Sequence, residues 1–265
     1  MPRLSQSLSL RCLFIHLLKS RFPMRTYRRY SYKDTNLRVA CIQFDEVVNE
    51  VVTQRKLLER YIRRQPEFVR SLEPLQLLED APEVVLRMAA ASEKTGLGPM
   101  AAVAGTLAQL GAEKAMALGV ADVIVENGGD LYIAATTPVV VGIHSGDDKF
   151  GDSLGFQIPP GQLAICSSSS RMGHSLSFGK CTLATAVSAH ASLADAAATL
   201  LCNSIQCADD LESAVAKVGA IEGVDGTMAI MDGKIGLCGN LPQIIRNIDP
   251  STKTKVTRDR YSLLD

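Results

Sequence analysis

Tryptophan is missing from the 265 residues, and Phe and Tyr are too few to lift the aromatic share above 5%. A surface that binds nucleic acid needs an excess of Lys and Arg, often with aromatic platforms for the bases. Here 28 Lys and Arg balance 28 Asp and Glu, so nucleic acid is not expected as a partner. No apolar run approaches the roughly 20 residues that carry a helix across a bilayer, so no membrane span is expected. Cys-x-x-Cys pairs are also missing. The seven cysteines are odd in number and scattered, which argues against a disulfide framework or a zinc ribbon. They read as reduced thiols of a cytoplasmic protein. The G-x-G-x-x-G spacing of a Rossmann fingerprint is not found.

What is present is enough chain for a large core. From Met1 to Lys33 there are eight basic residues and no acidic one, with a short apolar patch at Cys12–Leu18. The patch contains His16 and lacks a small-residue cleavage site after it, so residues 1–23 read as an extension outside the fold rather than a targeting segment. Residues 24–265 are expected to form one domain.

Periodicity then sorts the elements. Leu37–Phe44 alternates as a strand. Glu46–Arg64 carries a helical stripe of Val47, Val51, Leu57, Leu58 and Ile62. Pro82 opens a helix that runs to Lys94 and stops at Gly96. The text AAVAGTLAQLGAEKAMALG predicts a small-residue core helix, whose first-turn N–H groups suit an anion. Val120–Val125 and Leu131–Ala134 read as strands around Asn127-Gly128-Gly129-Asp130, and strands follow at PVVVGIH, GQLAIC and TLATAV. Helices are expected at ASLADAAATLLCN and DDLESAVAKVG, and a hairpin turns at Asp232-Gly233. Strands and helices mix without strict alternation, which predicts an α+β fold of mixed sheets packed with helices.

Three stretches carry candidate chemistry, each with a plain structural reading beside it. Asn127–Asp130 is either a tight hairpin turn or a place where glycine lets a flat ligand approach the backbone, with Asn127 or Asp130 supplying a hydrogen bond. Ser167, Ser168, Ser169 and Ser170 form a run whose hydroxyls and N–H groups suit phosphate, or simply a polar loop. Asp195 and Thr199 are four residues apart and share one helix face. Two hard oxygen ligands so placed can share a Mg²⁺ with a substrate phosphate. Alternatively, Ser192 is the N-cap and Asp195 completes a capping box.

The order GPMAAVAG, VENGGDLYI, GHSLSFGK and LADAAATLLCN resembles the ApbE superfamily, the FAD:protein FMN transferases. It looks closest to a prokaryotic family of uncharacterised ApbE-like proteins, from Met24 to about Pro242. The resemblance implies an ApbE-like fold and a Mg²⁺-dependent enzyme that cleaves the FAD pyrophosphate and passes FMN to a hydroxyl of an acceptor, which can be a protein. It implies Asp195 and Thr199 as metal ligands, with the carbonyl of Ala102 or Ala104 completing the shell. Asn127, Gly128, Gly129 and Asp130 would lie along the flavin. His174, with Ser175 beside it, takes the place of the histidine that precedes a D-P-x-T-G motif, and His174 or Asp130 would orient the acceptor.

Two departures stand out. Val103-Ala104-Gly105 replaces an A-K-G element, and Gly173-His174-Ser175-Leu-Ser-Phe-Gly replaces D-P-x-T-G. Two other readings therefore stay beside the transferase. One is a non-catalytic binder of a flavin or other phosphorylated nucleotide. The other is an alanine-rich packing face that supports a homodimer.

Overall fold

The computed structural model describes residues 25–147, 149–170 and 179–248. The N-terminal extension, His174 and Ser175 lie outside the described residues. Among the described residues, eleven strands and five longer helices follow in order: β1 (Arg28–Tyr32), β2 (Thr35–Ala40), α1 (Phe44–Arg64), α2 (Glu83–Thr95), α3 (Val103–Ala117), β3 (Val123–Asn127), β4 (Asp130–Ala135) and β5 (Val139–Ile143). Then come β6 (Leu154–Ile158), β7 (Gly161–Ser168), β8 (Leu183–Ser188), α4 (Ala191–Asn203), α5 (Leu211–Gly219), β9 (Val224–Met231), β10 (Lys234–Gly239) and β11 (Gln243–Arg246). The fold is α+β.

Eight strands form one sheet in the order β1-β2-β3-β4-β7-β8-β9-β10, and three form another in the order β11-β6-β5. Every pairing is antiparallel. The central strands of the larger sheet are buried on both faces, while its edges β1 and β10 are largely exposed. On one face Val123, Val125, Tyr132, Ala134, Ala164, Cys166, Ala184 and Ala186 pack against the helices. On the other, Ile124, Ile133, Ile165, Leu183 and Val187 pack against Val139, Ile143, Phe156 and Ile158 of the small sheet. Side chains alternate across a strand, so one strand feeds both cores. This is why β3, β7 and β8 read as nearly continuous apolar runs.

The helices form where the pattern put them. The buried face of α1 is Phe44, Val47, Val48, Val51, Leu58 and Tyr61, with Leu57 and Ile62 half-buried at its margin. Gly96 ends α2 in the left-handed conformation at φ 72°. Three strands were not expected: β1, which pairs with β2, and β6 and β11. β6 has a glycine at its second position and β11 is four residues long, and each becomes a strand through its partner: Gln243–Arg246 pairs with Leu154–Gln157.

Candidate functional site

Three features meet at one end of the larger sheet: the β3–β4 turn, the last residues of β7 and the first of β8. The turn is a two-residue hairpin loop. Asn127 pairs with Asp130, and Gly128 and Gly129 stand at φ 66° and 105°. Those dihedrals match a turn whose two central residues both need positive φ, which is why both are glycine. Alternation from Val125, Tyr132 and Cys166 places Asn127, Asp130 and Ser168 on the helix-covered face.

Above them α3 crosses α4 very closely. A Cβ at Gly105 would stand 2.4 Å from the Ala191 carbonyl oxygen and 2.9 Å from Asp195 Cβ, so no larger residue fits. The contact lets the Gly105 N–H donate to Asp195 Oδ2 at 2.9 Å, and the Ala104 N–H also bonds this carboxylate. The first-turn N–H groups expected to suit an anion are thus engaged by the chain's own carboxylate. Asn127 Nδ2 donates to the Ala104 carbonyl at 3.1 Å and ties the hairpin to the same turn. Gln109, one turn further along α3, accepts a hydrogen bond from the Ala191 N–H at 2.7 Å.

That last bond corrects the capping-box expectation. The N-cap of α4 is His190, without a side-chain capping bond, and Ser192 is already inside the helix. The open N–H at the helix start is met by a glutamine from the neighbouring helix. Asp195 therefore points across to α3 instead of back to its own N-terminus.

The electrostatics follow from burial. Desolvation pushes the Asp195 carboxyl up to about 7, even though the two N–H donors favour its charged form. Asp130 is raised well above the usual carboxylate range, first by burial and then by the Asp195 charge beside it; the Ser167 N–H, donating to Oδ1 at 3.2 Å, offsets part of this. Cys166, not singled out as a site residue in the sequence, lies between the acids. Its thiol contacts the Asp130 carboxyl and donates to the Ala191 carbonyl at 3.6 Å. Burial and the two carboxyls raise it well above the usual thiol range, so it is an inert thiol rather than a nucleophile. Its only sequence signal was its place immediately before the serine run.

The remaining candidates divide clearly. Ser167 Oγ is hydrogen-bonded to Thr185 Oγ1 at 2.9 Å, and Ser169 Oγ donates to the Thr182 carbonyl at 2.7 Å. Ser168 Oγ is buried and has no hydrogen-bond partner among the described residues. Thr199 is buried one turn beyond Asp195 on α4. The Ala102 carbonyl accepts from the Thr106 hydroxyl at 2.5 Å and Ala102 is 1% exposed, whereas Ala104 is partly exposed beside Asp195. Ala104 is therefore the better placed of the two carbonyls.

The donor atoms of Asp195 and Thr199 are of the type Mg²⁺ takes. Among the described residues no group of three or more His, Cys, Asp or Glu gathers as a metal centre. A cation placed here would draw first on Asp195 and Thr199, with water and phosphate completing the shell; the Ala104 carbonyl already accepts from Asn127 and would have to exchange a bond to join it. All are hard oxygens, as Mg²⁺ prefers. The uptake of a cation would also relieve the repulsion between Asp130 and Asp195.

The comparisons agree with this architecture. A family described as "AbpE bacteria" matches residues 20–226. A "UPF0280 protein" of Methanocella arvoryzae is 39% identical over 237 residues, 88% of this chain and 96% of its own. One of Methanopyrus kandleri is 41% identical over 204 residues, 74% of this chain and 81% of its own. Among solved structures, the apo flavinyl transferase ApbE of Pseudomonas stutzeri superposes with a TM-score of 0.54 at 11% identity, covering 81% of this chain and 94% of that one. The flavin transferase ApbE of Vibrio cholerae gives 0.52 at 13%, covering 87% and 99%. The fold is thus that of the flavin transferases, and the chain itself belongs to the AbpE bacteria family.

Proposed function

We propose that the chain is a Mg²⁺-dependent enzyme acting on a flavin nucleotide, with FAD as donor, FMN as the group passed on and AMP as the leaving group. The observation that carries this reading is the paired carboxyls Asp130 and Asp195, desolvated together beneath the hairpin turn. Asp195, Thr199 and the Ala104 carbonyl would hold Mg²⁺, which when bound supplies neutralisation of charge on the pyrophosphate. Gly128 and Gly129 carry no side chains, so a flat ring can lie against the turn. In the transfer, the hydroxyl oxygen of an acceptor forms a bond to the FMN phosphorus, and the bond from that phosphorus to the AMP oxygen breaks. Asp130, whose proton affinity is raised by burial and by Asp195, is suited to take the hydroxyl proton when ionised; His174 is the alternative base.

A non-catalytic flavin binder is the second reading, favoured by Val103-Ala104-Gly105 standing where the transferases have A-K-G. Titration with FAD, with and without Mg²⁺, followed by chromatography separates the two. Mg²⁺-dependent binding with release of AMP supports the enzyme, and Asp195→Ala should abolish the release. Binding without products supports the binder, and no binding in either condition refutes both.

A further inference from the structure

The serine run is one sequence feature that the fold divides residue by residue. Three of its hydroxyls are committed to the protein: Ser167 to Thr185, Ser169 to the Thr182 carbonyl, and Ser170 to the Cys181 carbonyl at 2.7 Å. Ser168 differs. It is 6% exposed, and its Oγ has no hydrogen-bond partner among the described residues. A buried hydroxyl normally finds one, because leaving it unpaired forfeits the hydrogen bonds it made to water.

Its direction is set by the strand. Ala164 and Cys166 of β7 face the helices, whereas Leu163 and Ile165 face the small sheet, so Ser168 falls on the helix side. Its partner across the β7–β8 ladder, Ala184, belongs to the same helix-side core. Asp130 lies opposite Cys166, two residues back along β7, where β4 begins after the Gly128-Gly129 turn. The unpaired hydroxyl therefore shares one face, at one end of the sheet, with the two carboxyls and the hairpin.

We infer that Ser168 is the ligand-contacting hydroxyl of the run, donating its O–H to an acceptor oxygen of the bound nucleotide. For the identity of the ligand this rests on the flavin reading above; for the unpaired hydroxyl it does not. Two oxygens of a flavin nucleotide offer that chemistry, a ring carbonyl and a phosphate. Ser167 and Ser169 are supports of the strand and not ligand contacts. Retention of a buried hydroxyl that stabilises nothing in the free protein is the kind of local cost that functional sites carry.

The test compares Ser167→Ala, Ser168→Ala and Ser169→Ala in the full chain, by thermal melting without ligand and by titration with riboflavin, FMN and FAD in Mg²⁺. Ser168→Ala should melt at or above the wild-type temperature, while the other two melt below it. It should also bind about tenfold more weakly, the worth of one hydrogen bond. Weakening for all three ligands assigns the contact to the ring; weakening for FMN and FAD alone assigns it to the phosphate. Wild-type protein that binds none of the three refutes the flavin reading. Undiminished binding by Ser168→Ala, where the wild type binds, overturns this inference alone. So does a loss of stability in ligand-free Ser168→Ala equal to that of Ser169→Ala, because the hydroxyl would then be paired.

Discussion

Replacing Asp195 by asparagine should stabilise the metal-free protein above neutral pH, against the usual effect of altering a hydrogen-bonded buried side chain. The carboxyl rises from 3.8 to about 7 in the folded state through desolvation. A carboxyl raised in this way holds its proton longer folded than unfolded. Its contribution to stability is complete below about pH 4 and is lost as the pH climbs through about 7. Roughly three pH units at about 1.4 kcal/mol each set a ceiling near 4 kcal/mol. Asp195 keeps some contact with solvent, which brings the expected cost to about 2 kcal/mol. Asparagine keeps an oxygen for the Gly105 N–H and carries no charge. In a protein of this size about 2 kcal/mol corresponds to a rise of roughly 4–8 °C in melting temperature. The assay is thermal melting of wild type and Asp195→Asn in a chelating buffer from pH 5 to pH 8. The gain should grow with pH, and Mg²⁺ should stabilise the wild type and not the variant. A variant less stable than wild type at pH 8, or a gain that does not change with pH, would refute the reasoning.

The crossing of α3 and α4 gives a second expectation. Gly105→Ala places a methyl group 2.4 Å from the Ala191 carbonyl, so a loss of about 2–4 kcal/mol in denaturant unfolding is expected, with weakened ligand binding as Asp195 moves. Asn127→Ala leaves the Ala104 carbonyl without its side-chain partner and should cost about 1–3 kcal/mol. It should also lower Mg²⁺ affinity measured by calorimetry. Asn127 touches the α3 turn directly, and an unchanged affinity would show that the turn holds its place without the hairpin.

Much of this arrangement could be read from the chain alone, because local chemistry dictates it. Periodicity marked α1, and Pro82 and Gly96 bracketed α2, since these signals depend only on backbone geometry and neighbouring side chains. Asn127-Gly128-Gly129-Asp130 announced a tight turn because two adjacent positive-φ positions need glycine. The resemblance in motif order pointed to the family and to Asp195. Tertiary structure decided what those residues do. Ser192 looked like an N-cap until Gln109 of another helix met the open N–H. The first turn of α3 looked ready for an outside anion, yet Asp195, 90 residues further along the chain, occupies it. Four consecutive serines are alike in sequence; strand direction and cross-strand partners commit three of them and leave Ser168 unpaired among the described residues. Cys166 was marked only by its place before the serine run, because its environment is made by Asp130 and Asp195 from two other elements. The sequence by itself determined the longer helices, the turns and most strands, since those choices are local, whereas β6 and β11 became strands only by pairing. Packing distant segments together decided which polar groups pair and which two carboxyls are desolvated side by side, because burial and charge proximity exist only once the layers have closed.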